Sequence, residues 1–205
     1  MGCCCSKRGG SGGAVRSQTE MSTQNGGKVG GRSLSIARTM TQPSINIEKG
    51  ATKISGNGLA LAGAAIEQDA AYWEWHIHQV PEGTKVSFGV AHKKDRNFYN
   101  ELDKNNEDSP EHNGRSMMKE IEVKNEDTVG VAVQQSDLPM VQFLLNGEPL
   151  HELAINRFRG MVYPSVYLPE LEEKLQIQLE MNENGFRQMS PHARFGPVIV
   201  ARGLI

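Results

Sequence analysis

Cysteine is absent from residue 6 onward: the chain of 205 residues has three, Cys3, Cys4 and Cys5. The body therefore has no thiol for a disulfide framework, a zinc site or a nucleophile. No apolar run approaches the roughly 18 residues that a membrane span needs, the longest lying near residues 59–66. No apolar segment of the signal-peptide kind follows Lys7 and Arg8. A Gly-x-Ser-x-Gly elbow, a phosphate-cradling glycine loop ending in Lys-Ser/Thr and a calcium loop are all missing. No stretch of helical spacing with proper caps exceeds two turns. A basic patch is lacking in the body as well, which disfavours a nucleic-acid partner. What is left, 38% hydrophobic and 22% charged, fits one domain with a tail.

That tail opens Met1-Gly2-Cys3-Cys4-Cys5-Ser6-Lys7-Arg8. Loss of Met1 exposes Gly2, and Ser6 completes the Met-Gly-x-x-x-Ser/Thr pattern of N-myristoylation. One myristoyl chain binds a bilayer marginally, with an association constant on the order of 10⁴ M⁻¹, so stable anchoring needs a second signal. Cys3, Cys4 and Cys5 are the palmitoyl acceptors that would supply it. Lys7 and Arg8 add attraction to an anionic leaflet, about 1 kcal/mol each near the surface. The expected location is the cytoplasmic face of a membrane, the plasma membrane first.

Charge divides unevenly along the chain. Residues 1–42 carry Lys7, Arg8, Arg16, Lys28, Arg32 and Arg38 against Glu20, a net +5, which leaves −7 for the rest of a chain whose total is −2. A basic tail on acidic lipid and a body repelled by it is the expected arrangement. Residues 1–50, with Gly-Gly-Ser-Gly-Gly at 9–13 and further glycine pairs, read as a disordered tether. Ser33 and Ser35 lie among basic residues, where phosphorylation would weaken attraction to the leaflet; serine in a plain polar linker is the simpler account.

Residues 51–205 read as all-β, because short alternating stretches succeed one another between turn residues. Trp73, Trp75 and Ile77 fall on one face of a strand and Glu74, His76 and His78 on the other, expected to face solvent. Val86, Phe88 and Val90 repeat the pattern, as do Val129, Val131 and Val133. Residues 141–145 run into Asn146-Gly147, a strong hairpin signal because both residues tolerate positive φ. Residues 161–168 and 174–181 complete the series, the latter with Leu175, Ile177, Leu179 and Met181 inward. Such a succession predicts a sandwich or barrel.

Tyr72-Trp73-Glu74-Trp75-His76-Ile77, Val86-Ser87-Phe88-Gly89-Val90-Ala91 and Asp127-Thr128-Val129-Gly130-Val131-Ala132-Val133 resemble, in order, signatures of the SPRY domain family. Val141-Gln142-Phe143-Leu144-Leu145-Asn146-Gly147 and Val162-Tyr163-Pro164-Ser165-Val166-Tyr167-Leu168 extend the resemblance, which covers about residues 51–181. Trp75 stands where the family carries valine or leucine, and residues 182–205 have no matching motif, although 197–201 could supply a closing strand. The resemblance implies a bent antiparallel β-sandwich, a concanavalin-like jelly roll, whose loops at one rim bind a peptide or protein without chemistry or cofactor.

The stretch offered for recognition is the long connection 93–115, whose charged start precedes two aromatics. Arg96, Phe98 and Tyr99 are the candidate partner-binding residues, set against the alternative that the aromatics only pin the loop to its own domain. The shorter connection 134–139 is a candidate for the same rim. A different class of function comes from His76, His78 and Glu82, which with Gly89 fit much of the first metal-binding motif of cupins. Histidines two apart share a strand face, as joint ligation requires. Against that enzyme reading, Ala70 replaces the motif's leading glycine, no second motif supplies a fourth ligand, and solvent-facing histidines explain the same residues. The expectation is thus an anchored adaptor, not an enzyme, with a cytosolic or membrane-bound protein or peptide as partner and the acylated basic tail on an anionic membrane surface.

Overall fold

A computed structural model describes residues 34–48, 50–92 and 117–200. The described strands are β1 (Ile45–Ile47), β2 (Lys53–Gly56), β3 (Gly58–Leu61), β4 (Ala70–Gln79), β5 (Lys85–Ala91), β6 (Met117–Glu122) and β7 (Thr128–Gln134). They continue with β8 (Met140–Leu145), β9 (Glu148–Pro149), β10 (Ile155–Asn156), β11 (Tyr163–Leu168), β12 (Gln176–Glu180) and β13 (Gly196–Pro197). Helical structure among these residues is confined to single 3₁₀ turns at Arg38–Met40, His151–Leu153 and Glu183–Gly185.

Two sheets form an antiparallel sandwich. The larger runs β1-β2-β12-β4-β7-β8-β10, with β9 beside β8 and β13 beside β4, and the smaller runs β3-β11-β5-β6. Period-two alternation sets the core, as the sequence predicts. Trp73, Trp75 and Ile77 of β4 and Val129, Val131 and Val133 of β7 are fully buried, facing Val86, Phe88 and Val90 of β5. The Trp75 and Phe88 rings, one from each sheet, meet with centroids 6.3 Å apart. Asn146 and Gly147 take φ values of 52° and 87°, the left-handed pair that a two-residue hairpin between β8 and β9 requires.

Residues 34–48, placed by composition in the tether, are part of the sandwich in the structure. Ile36, Met40 and Ile45 are buried, and β1 pairs with β2 from Ile45 opposite Gly56 to Ile47 opposite Ile54. Ala37 N–H donates to Leu61 O at 2.9 Å and Gln42 N–H to Leu59 O at 2.9 Å, while Gln42 Oε1 accepts from Leu59 N–H. The segment thus covers the open edge of β3, which would otherwise present unpaired backbone to other chains. Arg38, counted with the basic tail, donates from its guanidinium to the carbonyls of Ile45 and Pro43.

The C-terminal segment 182–198 is a strap. It leaves β12 after Met181, crosses the outer face of the large sheet, and returns as β13, which pairs in parallel with β4, Gly196 opposite Ala71 and Pro197 opposite Tyr72. Those two residues of β4 lie beyond the end of β12, whose pairing stops at Glu180 opposite Glu74. A closing strand is therefore present at Gly196–Pro197, overlapping the expected 197–201 only at Pro197, while residues 198–200 lie outside any strand.

Candidate functional site

The strand registers bring three described connections to one rim. Ala91 at the end of β5 lies opposite Tyr163 at the start of β11, and Ala70 at the start of β4 lies opposite Gln134 at the end of β7. Met140 at the start of β8 pairs with both Gln134 and Asn156. Residues 62–69, 135–139 and 157–162, together with His92 and residues 198–200, therefore share this end of the sandwich. The connection 134–139 stands there, as the sequence suggested. Arg96, Phe98 and Tyr99 lie outside the described residues, as do Gly2, Cys3, Cys4, Cys5 and Ser33.

Side-chain amides brace the rim. Gln135 Nε2 donates to Ile66 O and Gln68 O, each at 2.8 Å. Gln68 Nε2 donates to Pro197 O at 2.8 Å, and its Oε1 accepts from Ile199 N–H at 2.7 Å. Ile66 N–H reaches Val162 O at 2.9 Å, Arg157 N–H reaches Pro139 O at 2.7 Å, and His92 Nδ1 pairs with Met161 O at 3.0 Å. Ser136 N–H donates to Asp69 Oδ1 at 2.7 Å, and the Ser136 donors hold the Asp69 carboxyl below its ordinary range.

On this braced backbone stand side chains that a core would normally take. Leu138 is 70% exposed, Ile199 62%, Met161 55% and Leu34 40%. Leu34 belongs here because the neighbouring Ser35 carbonyl accepts Gly63 N–H at 2.7 Å. Of the other exposed large apolar side chains among the described residues, Leu171 follows the far end of β11 and Met189 lies on the strap. Asp137, next to Leu138, holds a left-handed φ of 54°, and Arg157 one of 67°. Such conformations cost non-glycine residues energy and persist where the surroundings hold them.

The histidine face differs from its expected exposure. Glu74 is fully buried and His76 is 5% exposed, because the strap covers them. Four donors converge on the Glu74 carboxylate: Tyr72 Oη–H at 3.0 Å and Gln188 N–H at 2.9 Å on Oε1, His76 Nε2 and Arg187 N–H at 2.7 Å each on Oε2. Burial pushes the Glu74 pKa up, but these donors outweigh it and hold the group below its ordinary value. The same burial, with the carboxylate beside it, pushes the Tyr72 phenol far above its usual range. Phe186 meets the Tyr72 ring edge-on at 5.1 Å, and Phe195 joins Tyr72, Ala132 and Leu144 in an apolar cluster under the strap. Gly130 on the adjacent strand makes room for that ring, since a Cβ there would lie 2.5 Å from Tyr72 Oη.

In this arrangement His76, His78 and Glu82 each stand apart in separate contacts. His76 Nε2 is engaged by Glu74, His78 Nε2 pairs with Gln178 Oε1 at 3.1 Å, and Glu82 is exposed on the turn after β4. Among the described residues no group of three or more such side chains gathers to hold a metal. The site residues that the sequence did not single out are Leu138, Met161 and Ile199, which stand in three separate connections, and Glu74, whose partners Arg187 and Gln188 lie more than a hundred residues away.

No protein-family model matches the chain, and no curated protein does. Among solved structures, the SPRY domain of human HERC1 aligns with a TM-score of 0.49 at 15% identity, over 71% of this chain and 97% of that one. A human SPRY domain aligns at 0.42 and 12%, over 68% and 96%. The Neuralized NHR1 domain of Drosophila melanogaster aligns at 0.45 and 11%, over 68% and 93%. The chain is similar to these domains at low identity, and its fold is the antiparallel β-sandwich described above.

Proposed function

We propose that this chain is a membrane-anchored interaction module with a SPRY-like sandwich, whose loop rim binds a protein or peptide partner and performs no chemistry of its own. The observation that carries this reading is the convergence of Leu138, Met161, Ile199 and Leu34 on one rim. Isolated exposed aliphatics need no explanation, but a group of them on one braced surface marks an interaction site. The brace matters energetically, because loops already held by Gln68 and Gln135 lose little freedom on binding. The resemblance of the β4, β5, β7, β8 and β11 sequences to SPRY motifs supports the same reading.

Changing Leu138, Met161 and Ile199 together to aspartate tests it. These side chains are exposed, so each change should alter stability by no more than about 0.5 kcal/mol. In a proximity-labelling comparison in cells, the variant is expected to lose the partners that the unchanged protein labels while keeping its membrane location. An unchanged set of partners would place recognition elsewhere.

The anchor proposed at Gly2, Cys3, Cys4 and Cys5 would confine the module to the cytoplasmic leaflet, where even a weak rim contact gains from high effective concentration. Gly2→Ala should move most of the protein to the soluble fraction, because neither the basic residues nor an unacylated tail holds it alone. Retention of Gly2→Ala on membranes would contradict the two-step anchor.

A further inference from the structure

We infer a second binding site, a cleft between the strap and the β8–β9 hairpin that takes one aliphatic or aromatic side chain of an acidic peptide. The cleft has a volume of about 280 Å³. Leu144 and Phe195 form its buried floor, Leu150 and Ala154 one half-buried wall, and Pro149 and Pro191 face it from the hairpin and the strap. The size suits a single leucine or phenylalanine side chain, being just below the roughly 300 Å³ at which small-molecule pockets begin.

Charge selects the occupant. No carboxylate lines the cleft, in a chain whose residues from 43 onward carry a net −7. Its polar groups are His151, His192, Arg194 and Gln142. Arg194 places its guanidinium over the Phe195 ring at 4.9 Å and has no ion-pair partner among the described residues. Its charge reaches Asp69, but that carboxylate is already held by Ser136. His192 Nδ1 accepts the Arg194 backbone N–H at 3.2 Å, which leaves Nε2 as the nitrogen that donates. Donors at an apolar mouth fit an apolar side chain flanked by Asp or Glu. The contrast is with the polar groove at the far end of the sandwich, lined by Glu170, Glu172 and Glu173, which would repel the same peptide. Leu138, Met161 and Ile199 do not line the cleft, so this site and the apolar rim are independently testable.

The probe is a fluorescein-labelled heptapeptide with one Phe between two Asp-Glu pairs, titrated by anisotropy against the full chain. It should bind at least about tenfold more tightly than a counterpart with Lys in place of the acids, and more weakly as salt rises. Ala154→Trp, which fills the cleft, and Arg194→Glu, at an exposed position, should each weaken binding about tenfold or more. The aspartate variant of Leu138, Met161 and Ile199 should bind the probe unchanged. If Ala154→Trp proves unfolded by circular dichroism, Arg194→Glu and the salt series decide alone. Equal binding of the acidic and basic peptides, loss of binding in the rim variant with retention in the cleft variants, or sedimentation showing a second copy of the chain in the cleft would overturn the proposal.

Discussion

Glu74→Ala should destabilise the protein by about 3–5 kcal/mol, the range seen when one member of a buried charged network is removed. The cost has a specific source. Tyr72 Oη, His76 Nε2 and the backbone N–H groups of Arg187 and Gln188 all lose their acceptor, in a place that the strap shields from water. Glu74→Gln is the sharper test because it keeps the shape. Each carboxylate oxygen receives one side-chain donor and one backbone N–H. Whichever way the amide is turned, its NH₂ faces a backbone N–H that cannot reverse its polarity, so a loss of about 1–3 kcal/mol remains. Urea unfolding at neutral pH gives both values, and hydrogen exchange should accelerate at both Arg187 and Gln188 in Glu74→Ala but mainly at one of them in Glu74→Gln.

The pH dependence follows from the direction of the Glu74 shift. Its folded pKa lies below the ordinary value of 4.5, so its stabilisation is present above that value and is lost as pH falls through the folded pKa. The stability gap between the unchanged protein and Glu74→Gln is therefore largest at neutral pH and narrows once pH drops below the ordinary carboxylate range. A gap that widens in acid would mean that burial, not the four donors, dominates this group.

Gly89→Ala should cost about 2–5 kcal/mol, as an overpacked contact is added to a strained backbone. Gly89 holds φ at 151°, and a Cβ there would run into the Met117 carbonyl oxygen and lie 2.9 Å from Met118 Cα. Both obstacles are backbone of the paired strand β6, so no side chain can swing aside. Gly83→Ala is the matched control. It too has a positive φ, 73°, but no atom within 4 Å of the added Cβ, and it should cost only the conformational strain of about 1 kcal/mol. The difference between the two urea midpoints isolates the clash between β5 and β6. Gly89 is also one of the residues that gives this chain its cupin-like spacing, and close approach of two strands accounts for it without a metal.

The inward face of the sandwich was legible in the sequence because burial on one side imposes a period of two. Trp73, Trp75 and Ile77 or Val129, Val131 and Val133 cannot be read otherwise once their strands are placed. The outward face was not legible, because alternation says which residues share a face and not whether another segment lies on it. Glu74 and His76 have the pattern of solvated residues and are buried only because a strap without periodicity, carrying Phe186 and Phe195 as widely spaced apolar anchors, crosses them. β1 is too short to show a pattern, and β6, reading Met-Met-Lys-Glu-Ile-Glu, has too many charges for a core strand, since one face of it is exposed. The rim was partly legible: the connection 134–139 was placed there, but Leu138, Met161 and Ile199 stand far apart in sequence in separate connections, and only the fold makes them a group.

The central claim is that the apolar rim, distinct from the cleft under the strap, meets the partner proposed for it. The direct test is site-specific photo-crosslinking in cells, with the full chain carrying the crosslinker in turn at Leu138, Met161, Leu171 and Met189. All four side chains are exposed, from 36% at Leu171 to 87% at Met189, so exposure alone does not separate them. The account predicts one discrete adduct shared by positions 138 and 161 and absent at 171 and 189. Adducts at 171 or 189 with none at the rim would contradict it.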